Sequence, residues 1–229
     1  MHAFELGDLA AGARRVLCIG AHADDIEIGC GGTILRLLEL NPDLELHWVV
    51  LSADGARRAE AFAAARHFLG DEAEKRVVIA GFRDGFLPYE GASVKQYFEA
   101  LKQKQRPDLI LTHYRGDLHQ DHRLASELTW NTFRDHLILE FEIPKYDGDL
   151  GAPNLFVPLL EAHVLRKIEI LQAAFPSQRA RGWFAPETFR ALMKLRGIEC
   201  NAESGWAEAF HVRKLVLAAR AAGEPRWPA

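Results

Sequence analysis

Two short stretches of this chain concentrate groups that can bind a cation or move a proton. The first is Ala21-His22-Ala23-Asp24-Asp25-Ile26-Glu27 and the second Asp117-Leu118-His119-Gln120-Asp121-His122. His22 and Asp25 stand three residues apart and can reach one ion if the chain turns between them. Zinc accepts imidazole nitrogen and carboxylate oxygen at about 2 Å, and this pair supplies one of each. Asp24 projects elsewhere and stays free for another task. Of the chain's 10 histidines, His113, His119 and His122 fall within residues 113–122. One of the second stretch's imidazoles can complete a metal site with His22 and Asp25. The other can act on a substrate, with Asp121 or Asp117 raising its pKa and fixing its tautomer. Either stretch alone also fits a helix cap with solvated histidines. Both on one edge of a sheet are far harder to explain that way.

The elements that must position these groups follow from hydrophobic period. Val16–Gly20, Leu44–Leu51, Val77–Ala80 and Leu109–Thr112 are apolar runs of strand length. Helix-period segments follow them: one opened by a glycine turn at Gly29–Gly32, then Arg57–Leu69, Val94–Gln105 ending before Pro107, and Arg123–Arg134. Such alternation predicts an α/β fold, a Rossmann-like three-layer sandwich with a mostly parallel sheet and helices on both faces. Ligands gather beyond the carboxyl ends of such strands, where both polar stretches fall. The last third predicts extended segments at 137–143 and 154–158, a Gly-, Pro- and Asp-rich loop at 144–153, and helices at 161–174 and 186–196. Residues 207–217 read as either a strand or a short helix. The reading is of a single domain over 1–229, with a core at 14–135 and a substrate-facing C-terminal portion at 136–229.

Bulk properties narrow the class. The 229 residues are 48% hydrophobic and 26% charged, which supports a buried core and excludes a disordered chain. The formal charge of −4, with scattered Lys and Arg, argues against a nucleic-acid partner. The three cysteines, Cys18, Cys30 and Cys200, form no CxxC pair and support neither a disulfide framework nor a Cys-ligated zinc. No apolar run reaches membrane-span length. Glu5 and Asp8 stand where a signal peptide would be basic, so a cytoplasmic protein is expected. The GCGG run after the first stretch does not fit GxGxxG, and the acids before it would repel a pyrophosphate.

At these residues the chain resembles the PIG-L/LmbE-like family of metal-dependent de-N-acetylases. AHADD (Ala21–Asp25) stands where that family has AHPDD, and HQDH (His119–His122) where it has an HPDH-type segment. Glu27–Thr33 (EIGCGGT), the Arg57/Glu60 pair and Gly81–Gly85 (GFRDG) are also similar. Ala23 and Gln120 replace prolines, which loosens two turns and removes no chemical group. The resemblance covers residues 15–135 well and the remainder loosely. It implies that His22, Asp25 and His122 bind Zn2+, with Fe2+ or another divalent metal fitting the same donors. It further implies Asp24 as general base and His119, backed by Asp121, facing the developing oxyanion. The reaction implied is hydrolytic removal of an N-acetyl group from an N-acetylglucosamine-type sugar or conjugate. Three protein ligands leave a catalytic zinc an open position, and a protonated His119 would stabilise the oxyanion.

Two readings compete. Two histidines and one carboxylate also make the facial triad of non-haem Fe(II) oxygenases, which have no evident use for a free Asp24. A non-catalytic metal- or sugar-binding protein would be expected to have lost Asp24 or His119. For the substrate wall, Arg57 and Asp84 follow the second and third strands onto the catalytic edge. The resemblance suggests that Asp84 meets sugar hydroxyls and Arg57 an anionic or polar group. Glu208 and His211 are read as bordering the pocket, with Trp206 at its rim; failing that, selectivity falls to the loop at 144–153. The expected partner is a small N-acetylated sugar, and homo-oligomerisation stays open. His22→Ala and His122→Ala should fold and retain little zinc, whereas Asp24→Asn should keep zinc and lose turnover. Metal analysis showing the Asp24 variant empty and the His22 variant full would reverse these roles.

Overall fold

In the computed structural model, residues 13–216 are described. Glu5 and Asp8, and the Leu217 end of the last predicted element, lie outside them. Five parallel strands form most of the sheet: β1 (Arg15–Gly20), β2 (Glu45–Val50), β3 (Val77–Ile79), β4 (Leu109–His113) and β5 (Leu137–Phe141). β6 (Leu155–Pro158) and β7 (Ala207–His211) join antiparallel, giving the order β3-β2-β1-β4-β5-β7-β6. The undecided segment after residue 206 is therefore a strand, inserted between β5 and β6.

The sheet is buried on both faces because its strands are apolar at successive positions. Val16, Cys18, Leu109 and Leu111 enter one core, while Leu17, Ile19 and Ile110 enter the other. Helices α1 (Asp25–Leu40), α2 (Gly55–Leu69), α6 (Glu161–Ala174) and α7 (Pro186–Glu199) cover the first face. Helices α4 (Gly91–Lys104) and α5 (Gln120–Thr132) cover the second, and α3 (Ala73–Arg76) is one short turn before β3. Among the described residues no helix is long and apolar enough to cross a membrane.

The order of strands creates the site. From β1 the chain winds outward through β2 and β3, then returns to place β4 on the other side of β1. The β1–β4 boundary is thus a switch point, where a crevice opens at the carboxyl ends. The ladder pairs Val16–Leu109 through Cys18–Leu111. Beyond it the Ala21 N–H meets the His113 ring Nε2, at 2.9 Å, instead of a carbonyl.

Helix α1 departs from the sequence expectation. It starts at Asp25, ahead of the glycines, and is broken at Cys30 (φ −147°, ψ 16°). Gly29 is there for close approach rather than for a turn: a Cβ on it would lie 2.2 Å from the Phe141 ring. The break is held by a buried ion pair. Lys167 Nζ donates to the Ile28 carbonyl (2.6 Å), which ends the first half-helix, and to Glu208 Oε1 (2.7 Å). Glu208 accepts the Gly32 and Thr33 N–H groups (2.8 and 2.6 Å), which start the second half. A cation at a helix C-terminus and an anion at an N-terminus match the two half-dipoles. Helix α5 likewise starts earlier than expected, at Gln120, so His122 lies on its first turn.

Removing one member of a buried pair strands the other charge. Lys167→Met should therefore lower unfolding free energy by about 3–5 kcal/mol, and Lys167→Met/Glu208→Gln by less. Denaturant unfolding that finds the single variant as stable as wild type would show that the pair does not hold the break.

Candidate metal centre and active-site cleft

β1 delivers Ala21 to Asp25 at its carboxyl end, and β4 leads through residues 114–119 into α5. His22 Nδ1 lies 3.1 Å from His122 Nε2 and 3.4 Å from Asp25 Oδ2, and His122 Nε2 lies 3.5 Å from Asp25 Oδ1. Ligands on a tetrahedral ion with bonds near 2.05 Å stand about 3.3 Å apart. The two imidazoles and the Asp25 carboxylate, which turns a different oxygen to each ring, are thus close enough to hold one ion. Neighbouring donors extend the cluster, since His22 also groups with His119 and His122, Asp25 with His113 and His122, and His22 with Asp84 and Asp121. Burial alone would lower the His22 pKa, but Asp25, Asp121 and Asp84 lift it well above the ordinary value. Asp121 and Asp84 face His22 Nε2, both at 3.2 Å, which leaves Nδ1 turned toward His122 and Asp25. His122 is pushed down to about 4, by burial first and then by His113, so it presents a neutral imidazole.

Asp25 is fixed by its surroundings. Its Oδ2 accepts the His22 N–H at 2.6 Å and lies 3.1 Å from His113 Nε2. His113 is fully buried and stacks on His122 with centroids 3.9 Å apart, so it braces the cluster from below. Asp117 plays the same part for the second stretch. Its Oδ2 faces His122 Nδ1 at 2.9 Å and its Oδ1 accepts the His119 N–H at 2.8 Å. Asp117 is one of two acids expected to back the substrate-facing histidine; its carboxylate meets the ring of His122 instead and only the backbone N–H of His119.

Asp121 does not back His119. Its oxygens accept the Gly85 N–H (2.7 Å) and Leu87 N–H (3.1 Å), and Oδ2 lies 3.2 Å from His22 Nε2. Gly85 can turn its N–H inward because its φ is +76°, a region that disfavours side chains. Only the Asp121 backbone meets His119, donating to its Nδ1 at 3.2 Å. With Nδ1 accepting, the ring proton sits on Nε2. Burial and then His22 push the His119 pKa down. Both features run against the expected fully protonated His119 and leave Nε2 as the ring atom that can donate.

Asp24 lies beside the cluster with one oxygen engaged. Oδ1 accepts from Arg57 Nη2 at 2.6 Å, while buried Oδ2 has no partner among the described residues. Burial lifts its pKa, Arg57 opposes that and Asp25 adds to it. Arg57 is also held by Glu60 at 3.0 Å, so its guanidinium is largely committed to carboxylates of the protein.

These groups open into a cleft of about 440 Å³, lined also by exposed Asp84. Its outer walls are Lys145, Tyr146 and Asp147 from the loop at 144–153, and Gln178, Arg181 and Trp183 from the turn before α7. The first wall belongs to the loop that the sequence offered as the alternative to Glu208 and His211. The second carried no sequence signal, because nothing local marks a turn as facing a distant sheet edge. Glu208 and His211 do not line the cleft. Glu208 is consumed by the α1 break, and His211 stacks on Tyr114 at 3.6 Å. Trp206 lies away from it too, donating to Glu161 at 3.1 Å beneath Arg190.

Comparison with known proteins identifies the relatives of this chain. Residues 17–133 match the PIG-L family model, described as GlcNAc-PI de-N-acetylase. A diacetylchitobiose deacetylase of Thermococcus kodakarensis is 30% identical over 145 residues, 55% of this chain and 51% of that protein. The chain thus spans about half the length of this curated relative. The structure of N,N'-diacetylchitobiose deacetylase from Pyrococcus horikoshii superposes with a TM-score of 0.68 at 22% identity, covering 92% of this chain and 87% of that one. A conserved protein of Thermus thermophilus gives 0.68 at 24% identity over 90% and 99% of the two chains. A 4-carboxy-2-hydroxymuconate hydratase from Pseudomonas putida gives 0.69 at 18% identity over 91% and 100%. At these identities the superpositions establish the fold. With the family model matched over more than half its length, the chain belongs to the PIG-L family.

Proposed function

We propose that the chain is a zinc-dependent hydrolase that removes the N-acetyl group from an N-acetylglucosamine-type amino sugar or its conjugate. One juxtaposition supports this most. A buried carboxylate oxygen with no partner among the described residues, Asp24 Oδ2, stands beside His22, Asp25 and His122, which are close enough to hold one ion at an open cleft. His22, Asp25 and His122 would hold the metal. When bound, it would supply Lewis acidity toward the amide carbonyl and lower the pKa of an attacking water.

The chain's own groups supply the remaining chemistry. Arg57 occupies Asp24 Oδ1, which leaves Oδ2 to take the water proton and return it to the leaving amine. His119 Nε2–H donates to the carbonyl oxygen as negative charge develops, a contribution of about 3 kcal/mol in comparable sites. Asp84 and the two rim segments, which line the cleft, would meet sugar hydroxyls. The deacetylase activity of the Thermococcus relative favours the same reaction. An Fe(II) oxygenase would leave Asp24 without a task.

The direct test is acetate release from N-acetylated amino sugars offered free, nucleotide-linked and thiol-linked. Turnover should disappear on chelation, return with Zn2+ and persist without oxygen. No acetate from any substrate by zinc-loaded protein would overturn the proposal. Arg57 gives a second prediction. It pulls the Asp24 pKa down, so Arg57→Ala should let that pKa rise and move the acidic limb of kcat/KM to higher pH, by on the order of one unit, with kcat reduced. A raised KM with an unmoved limb would instead put Arg57 on the substrate.

A further inference from the structure

One lysine docks the rim loop at 144–153 onto the metal end of the cleft. Lys145 Nζ lies 3.0 Å from Asp117 Oδ2 and pairs with Asp149, and its side chain is 8% exposed. The Asp117 oxygen it meets also faces His122 Nδ1 at 2.9 Å. The Asp149 oxygen it meets also accepts the Leu118 N–H at 2.7 Å. A nearly buried ammonium thus bridges two carboxylates, one on the loop and one that orients His122.

This lysine has two physical consequences. Asp117 and Asp149 are themselves nearly dry, and without a cation between them their charges would repel strongly. An ammonium also donates and never accepts, so it keeps Asp117 Oδ2 an acceptor. The His122 proton is then held on Nδ1, and the Nε2 lone pair is left facing His22 and Asp25. Hydrogen bonds of this kind behind a ligand set both its orientation and its basicity.

We propose that Lys145 is a positioning residue that locks the rim loop and the metal-facing tautomer of His122 together, so that metal affinity and loop order are linked. The inference rests on the metal role given to His122 above. Linkage runs both ways: a metal that needs the ordered loop must also order it.

The test uses the full chain with Zn2+ alone, read by competition with a chromophoric chelator, and with Co2+ as a spectroscopic probe. Lys145→Met should weaken zinc binding about 10–100-fold and shift the visible bands of the cobalt form. Lys145→Arg, which keeps the charge, should recover most of the affinity. In wild type, zinc should slow hydrogen exchange across residues 144–153. That measurement needs no variant and decides the matter if Lys145→Met does not fold. A folded Lys145→Met with zinc affinity and cobalt spectrum matching wild type would overturn the inference, as would loop exchange indifferent to zinc. Wild type without measurable zinc affinity would overturn the metal reading itself and this inference with it.

Discussion

The parallel pairing of β1 with β4 is the contact on which the site depends. It joins segments 100 residues apart, His22 and His122, at the place where the winding of the sheet reverses. A crevice opens there because the two crossovers leave the boundary in opposite directions. The chain ends of both strands lose their ladder partners at this point, and side chains take their place. His113 is the clearest case, with its ring receiving the Ala21 amide and stacking on His122.

Charge is the second constraint, and it follows from the first. Asp24, Asp25, Asp117 and Asp121 are all nearly inaccessible to water, within a few residues of one another in space. Buried carboxylates of one sign are unstable unless cations and donors compensate them. Backbone N–H groups serve Asp25, Asp117 and Asp121, Arg57 serves Asp24, and Lys145 serves Asp117. The remaining demand falls on the His22–Asp25–His122 triangle, where the proposed divalent cation would sit. The last third of the chain, beyond the family match, contributes Lys145 to this balance and Lys167 with Glu208 to the broken helix behind it.

The fold by itself does not select the reaction. Deacetylases and a hydratase share it among the solved structures, so the functional argument has to rest on particular groups. Here it rests on the Asp24 oxygen that has no partner among the described residues and on His119, whose Nδ1 accepts the Asp121 N–H.

Several features were legible in the sequence alone: the donor types, their spacing within each stretch, and the strands and helices that carry them. These are local properties, set by spacing of a few residues and by hydrophobic period, which is why β1 to β5 emerged close to their observed bounds. Long-range packing decided the rest. The glycines after Glu27 read as a helix start, but they sit inside a helix because Phe141 needs the space beside Gly29. Glu208 and His211 read as pocket residues near a sheet edge, yet β7 enters between β5 and β6 and turns Glu208 toward Lys167. Asp121 and Asp117 were equivalent by spacing, and only the approach of the loop at Gly85 assigned Asp121 to it and left Asp117 to orient His122. Which partner a buried polar group finds depends on segments far away in the chain, and no local period encodes them.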